Sequence, residues 1–333
     1  MTKNISLSIA TASKGRAAIA ASIAVAFYTR FRLPEPSQIT VAMGYGRLAG
    51  IDAPVNVDRG KFHFGFANPS GVARMAYLGH GSYKKKMALR AIGVFPSWDR
   101  LVFAVRADTG IHSIEEIKAT RFPLRISTRM TGSLLSTLFI IDEVLKGYGF
   151  SLSDIESWGG KIMRVSNPSS LERGHHLRSS EADAVFDEGL KSWGDLALES
   201  GMRFLPIRAD VLKRLERLGF TSAPVTNKEF SGLKEPITTV DFSGWPLLCR
   251  SDLAPEFAYK MAEAIDSCHE QIPVDHFDRR PMTMRDFCQG SDGGPLTIPL
   301  HRGAKKYYER NGYLSSSQRY LWTEKNQRTL GRA

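Results

Sequence analysis

Leu124-Arg125-Ile126-Ser127-Thr128-Arg129-Met130-Thr131-Gly132-Ser133 is the stretch that decides the fold. Its first four residues read as a strand, the Ser/Thr/Gly run that follows reads as a turn, and Ser133 opens a helix over 133–147. Leu134, Leu138, Ile141 and Leu145 of that helix share one face. The same alternation continues downstream, with strands over 161–165, 182–187 and 203–207 and helices over 168–179, 190–200 and 209–218. Strand and helix alternating at this pitch predict an α/β protein with a mainly parallel sheet.

Upstream, Ile5, Leu7 and Ile9 alternate as a strand does, and further short strands are expected over 39–43, 62–67 and 88–95. Leu101–Val105 is apolar throughout, as a strand covered on both faces must be. Ser113 then caps a short helix carrying Glu115 and Glu116 in its first turn. Beyond the alternating series come expected strands over 238–242 and 245–249 and a long helix over 255–272. A glycine-bearing loop over 282–294 and a basic helix over 303–311 follow.

The chain has 333 residues, enough for two domains with separate cores, and its 42% hydrophobic and 24% charged content is that of a globular protein. Forty-five Lys and Arg against 34 Asp and Glu leave a charge of +11, which favours anionic partners. The basic residues are scattered, Lys84-Lys85-Lys86 being the densest run, and no nucleic-acid motif accompanies them. No nucleic acid is therefore expected as a partner, and no apolar run is long enough for membrane insertion. Cys249, Cys268 and Cys288 lack metal spacing and read as buried or free thiols. The histidines show no chelating pattern, so neither metal nor cofactor is implied.

Residues 14–27 mimic a secretory leader, with Lys14 and Arg16 ahead of an apolar run and Ala24-Val25-Ala26 as a cleavage-like site. Against this, Ile19, Ile23, Phe27 and Phe31 form a helical stripe. The segment is read as mature structure, and the expected location is the cytoplasm, with the periplasm as the alternative.

One internal echo concerns binding. Ala10-Thr11-Ala12-Ser13-Lys14-Gly15 and Ser127–Ser133 are both strand ends feeding helices, each rich in Ser, Thr and Gly with one cation. Such a junction offers free N–H groups and a positive dipole end to a carboxylate or phosphate, although plain helix capping explains either one alone. The P-loop spacing is absent.

The run Leu101–Ile111 with Ser113–Ile117, the helix end Glu143–Gly149, the strand Ala182–Phe186 and the segment Pro299–Gly312 together resemble TAXI-type solute receptors of TRAP transporters. The resemblance spans residues 5–314 and rests on the order and spacing of loose motifs. It implies an α/β, two-lobed, type II periplasmic-binding-protein-like fold with the ligand cleft between lobes. One lobe is discontinuous (1–105 and 245–333), the other spans 106–244, and the hinge falls near 105–108 and 241–245. It also implies that the cleft is lined by Ser13, Lys14 and Gly15; by Tyr45, Gly46 and Arg47; by Asn68 and Ser70; by Thr128, Arg129, Thr131, Gly132 and Ser133; and by Asp187 and Glu188. TRAP-type membrane components would be partners of an exported receptor. With residues 14–27 read as mature structure, no leader is expected, which departs from the family's exported receptors, as does the approach Ala119–Leu124 to a second-lobe strand.

Within that cleft Arg47 and Arg129 are the candidates to clamp a carboxylate with paired hydrogen bonds. Asp187 and Glu188 are candidates to hold an amine, to pair with Arg129 or to act as a base, with capping of the following helix as the plainer role. The expected activity is binding of a small, carboxylate-bearing anion. The alternative is a decarboxylase-like enzyme acting on an organic acid, an analogy at the level of fold.

Overall fold

The computed structural model describes residues 6–11, 14–44, 48, 50–130, 136–274, 277 and 280–314. The strands are β1 (Ser6–Thr11), β2 (Gln38–Met43), β3 (Phe64–Phe66), β4 (Leu89–Phe95), β5 (Arg100–Arg106), β6 (Arg125–Arg129), β7 (Lys161–Val165), β8 (Ala184–Asp187), β9 (Met202–Leu205), β10 (Ser222–Val225), β11 (Ile237–Asp241) and β12 (Trp245–Arg250). The helices are α1 (Lys14–Phe31), α2 (Asp52–Asp58), α3 (Ser70–Leu78), α4 (Ile114–Thr120), α5 (Ser136–Tyr148), α6 (Leu152–Ser157), α7 (Leu171–Arg178), α8 (Gly194–Glu199), α9 (Ala209–Leu218), α10 (Pro255–Asp266), α11 (Met284–Gln289) and α12 (Arg302–Arg310).

These strands form two sheets. The first has the order β2-β1-β3-β12-β4, the second β10-β11-β5-β8-β6-β7 with β9 also paired to β5. Both sheets are mixed, which corrects the mainly parallel expectation. Parallel pairing joins β1 to β2 and β3, and β6 to β7 and β8. By contrast β12 runs antiparallel to β3 and β4, and β5 runs antiparallel to β8, β9 and β11. The chain passes between the sheets twice: β4 leads to β5 through 96–99, and β11 returns to β12 through 242–244.

Two boundaries inferred from the resemblance move as a result. Leu101–Val105, placed at the end of the first lobe, pairs within the second sheet, where all five side chains are fully buried. Residues 105–108, named as a hinge, sit at the far end of β5, where Arg106 pairs with Asp108 at 2.7 Å.

The apolar stripe of α1 behaves as its periodicity predicts. Ile19, Ile23 and Phe27 are fully buried against β1 and α10, so residues 14–31 belong to the core of the first sheet. That core also takes Leu247 and Cys249 of β12, Met261 of α10, Phe287 of α11 and Tyr308 of α12. Ser113 caps α4, accepting from the Glu116 N–H. Elsewhere the helices are shorter than expected: 190–200 is a 3-10 turn followed by α8, and 255–272 is α10 followed by another such turn. The expected loop over 282–294 contains α11, capped by Thr283.

A second core runs without a break from Val72 and Met75 of α3 to Phe103 and Phe186 of the other sheet, Leu215 of α9 and Phe220 just beyond it. Here α3 meets the C-terminus of α9 at two glycines. A Cβ on Gly71 would lie 2.3 Å from the Phe220 ring, and one on Gly219, at φ +119°, would lie 2.7 Å from the Met75 nitrogen. Among the described residues no helix is long and apolar enough to cross a membrane.

Candidate functional site

The carboxyl ends of β1, β3, β6 and β8 are the places where each sheet hands the chain to a loop or helix, and in open α/β sheets ligands lie outside such ends. On the first sheet, β1 ends at Thr11 and α1 begins at Lys14. The Trp245 indole lies against Gly15, 3.2 Å from where a Cβ would stand. Beside it, β3 runs through Ala67 into Asn68 and Pro69, joined by a cis peptide, and then into α3. The Ser70 N–H donates to the Ser243 carbonyl (3.1 Å). The fully buried hydroxyls of Thr11 and Ser70 have no hydrogen-bond partner among the described residues. Ser13, Tyr45, Gly46, Arg47, Thr131, Gly132 and Ser133, together with the side chain of Lys14, lie outside the described residues.

The second sheet meets this edge directly. Ser136, at the start of α5, donates to the Asn68 carbonyl at 2.7 Å. Behind it, the Thr128 hydroxyl donates to the Phe186 carbonyl at 2.7 Å, locking β6 to β8. Arg129, the next residue of β6, and Glu188, just past the end of β8, form an ion pair. A second contact sets the Arg129 Nε 3.4 Å from Asp187, and a third gives an Nη1 hydrogen bond to the Ser166 carbonyl at 3.0 Å. Of the three roles considered for Asp187 and Glu188, pairing with Arg129 is the one seen. Asp187 is also held by Arg173 of α7 at 2.7 Å and accepts the Glu188 N–H at 2.8 Å.

Two members of this cluster were not anticipated. Arg173 sits in a helix that reads as solvated because Glu172, His175 and His176 surround it, yet it is only 1% exposed and lies against the Trp193 ring. Its spacing of four from the buried Leu177 was the available signal. Asp99, in the passage between β4 and β5, reaches across to accept the N–H groups of Gly189 and Leu190 at 2.8–3.1 Å. A charged pair, Asp99-Arg100, directly ahead of the all-apolar run Leu101–Val105 was the available signal.

Arg100 fastens both passages together. Its Nη1 donates to Asp241 (3.0 Å), the Ser243 hydroxyl (2.7 Å) and the Asp99 carbonyl (2.9 Å), while Nη2 reaches Asp292 (3.0 Å). The guanidinium lies over Trp98, 4.6 Å from the ring centre. Trp98 is buried, so it packs in the core.

Burial dominates the electrostatics. It pushes the Asp187 carboxyl up to about 6, against the pull of Arg173 and Arg129. Asp99 is pushed well above the usual carboxylate range by burial and by the charge of Glu188, with the Gly189 and Leu190 N–H groups opposing. For Arg129 burial works downward, but the carboxylates of Glu188 and Asp187 outweigh it and hold the guanidinium more firmly charged.

With this geometry in place, the sequence profile described as the NMT1-like family matches residues 9–312. The chain belongs to the NMT1-like family. Solved structures similar to this NMT1-like chain are periplasmic binding proteins at low identity. The alkanesulfonate-binding protein SsuA of Xanthomonas axonopodis pv. citri, bound to MOPS, is 16% identical over 81% of this chain and 76% of its own, with a TM-score of 0.38. A TctC solute-binding protein from Polaromonas is 14% identical over 94% and 99%, with a TM-score of 0.44. Lactococcal OpuAC, complexed with glycine betaine, is 9% identical over 93% and 97%, with a TM-score of 0.42. At these values the two-lobed periplasmic-binding-protein-like architecture rests on the two sheets, their double crossing and the family match.

Proposed function

We propose that this NMT1-like protein is a solute-receptor-like binding protein that holds a small carboxylate-bearing anion between the facing strand ends of its two sheets. The observation that carries the reading is Arg129, which already holds a carboxylate, that of Glu188, at the rim of the second sheet. A guanidinium shaped around one carboxylate fits another. The positive net charge supports the same class by long-range attraction. In this reading the discontinuous lobe contains residues up to the 96–99 passage and from 245 onward, and the second lobe the chain between. Arg100 is the fastening of the hinge. The finer TAXI type, with TRAP membrane components as partners, is supported by the motif order across residues 5–314.

A decarboxylase-like role finds less support. Asp187 is fully buried, and its oxygens are engaged by Arg173 and by the Glu188 N–H, which leaves it poorly placed to take a proton from a substrate.

Calorimetric titration with acetate, succinate and benzoate tests the reading. Arg129→Ala is expected to weaken the best of these by more than tenfold, since truncating a buried charged partner costs about 2–5 kcal/mol. Lys85→Ala, in the exposed basic run, is expected to leave it unchanged. Equal affinity in wild type and Arg129→Ala, or binding of neutral solutes alone, would overturn the proposal.

A further inference from the structure

Rows of side chains on one face of the first sheet run up to the cleft edge. Alternate residues of a strand share a face. Leu7 and Ile9 of β1, and Cys249 and Leu247 of β12, are accordingly buried in the core that α1 covers. One step further along, the hydrocarbon ends. The β1 row finishes at Thr11, whose buried hydroxyl has no hydrogen-bond partner among the described residues. The β12 row finishes at Trp245, which antiparallel pairing with β3 brings to the same edge: Leu247 faces Phe66, and the Ala67 N–H donates to the Pro246 carbonyl at 3.2 Å.

Leu247 and Cys249 are fully buried, whereas Trp245 is partly exposed. Its indole lies across the start of α1, against Gly15, with the Arg16 guanidinium over the ring at 5.3 Å from the centre. An aliphatic side chain would cover the same core. A ring already anchored by its neighbours adds a flat surface that loses little freedom when another ring packs on it. The surroundings also call for a polar group from outside. Two fully buried hydroxyls without partners stand at this edge, that of Thr11 and that of Ser70, which packs on Gly244, the residue before Trp245. A buried hydroxyl left unpaired is unfavourable. The second lobe closes on the same edge, where Ser136 donates to the Asn68 carbonyl at 2.7 Å.

We infer that Trp245 is the specificity-determining wall of the anion site, and that the ligand is an aromatic carboxylate with its charge on Arg129 and its ring against the indole. The inference rests on the anion reading above and names its substrate class. Arg129 by itself accepts any carboxylate, so it selects for charge and not for shape. Selection among acids then falls to the indole, which favours a flat ring over a short chain or a puckered ring of the same size, because only a flat ring matches its face or edge.

The test is calorimetric titration of the full chain with benzoate, cyclohexanecarboxylate, acetate and the neutral benzyl alcohol. Wild type is expected to bind benzoate about tenfold more tightly than cyclohexanecarboxylate or acetate. In Trp245→Leu, which still covers the core, that preference should fall to near one, and Trp245→Phe should keep most of it. Tryptophan emission should change on adding benzoate to wild type and not on adding it to Trp245→Phe. Acetate or cyclohexanecarboxylate binding wild type as tightly as benzoate would overturn the inference and leave the anion reading intact. So would a preference that survives in Trp245→Leu. Benzyl alcohol binding as tightly as benzoate, with the same dependence on Trp245, would keep the wall and overturn the anion reading. Failure of all four to bind would overturn both. Should Trp245→Leu fail to fold, the wild-type ranking and the emission of Trp245→Phe decide the matter.

Discussion

Replacing Arg173 by Met removes one half of the most deeply buried ion pair described in the site. Arg173 and Asp187 lie 2.7 Å apart with side chains 1% and 0% exposed. Met keeps most of the packing volume and leaves Asp187 with Arg129, 3.4 Å away, and the Glu188 N–H as its remaining partners. Breaking a buried pair from one side costs about 3–5 kcal/mol, because the surviving charge stays in a low-dielectric site. Loss of the guanidinium from the Trp193 face, 5.9 Å from its centre, adds about 0.5–1 kcal/mol. Urea unfolding at pH 7, followed by circular dichroism, should show a loss of this size in Arg173→Met. The double variant Arg173→Met/Asp187→Leu removes both charges together and should recover most of it. A single-variant loss below about 1 kcal/mol, or a double variant no better than the single, would refute the reasoning that the pair is a desolvated unit.

Other consequences follow from the same contacts. Asp99→Asn keeps an acceptor for the Gly189 and Leu190 N–H groups and removes a carboxyl whose folded pKa is raised. Such a group's contribution is complete below the unfolded carboxylate range, near pH 4, and is lost as pH rises toward its folded pKa. The variant should therefore gain on wild type between pH 4 and 8, and melting curves over that range will show whether the gap widens upward. Gly219→Ala, at φ +119° with a Cβ 2.7 Å from the Met75 nitrogen, is expected to cost about 2 kcal/mol or more in urea unfolding. Removal of residues 1–26 would take Ile19 and Ile23 out of the first core, so the truncated chain should fail to give a cooperative melt.

Local pattern was enough for much of the fold. The helical stripe of α1, the all-apolar β5 and the strand–helix alternation from β6 onward are readable because burial repeats at the period of the element that carries it. Strand direction was not readable in the same way. The apolar runs of β5 and β8 look alike, yet β5 has only antiparallel partners while β8 also pairs in parallel with β6, and only those partners, distant in sequence, distinguish them. The placing of Leu101–Val105 in the first lobe came from the resemblance, whereas β5 pairs within the second sheet. Of the site, the strand ends at Arg129 and at Asp187-Glu188 were legible as loop-flanking charges, and the structure joins them as one ion-pair cluster. Asp99 and Arg173 were not legible, because each looks like an ordinary surface charge until the fold strips its water and supplies a partner from another element. Residue type and spacing by themselves determined which segments become strands and helices and which loops carry charge. The tertiary structure alone decided which charges lose their water together, and desolvation is a property of the assembled neighbourhood rather than of any one stretch of chain.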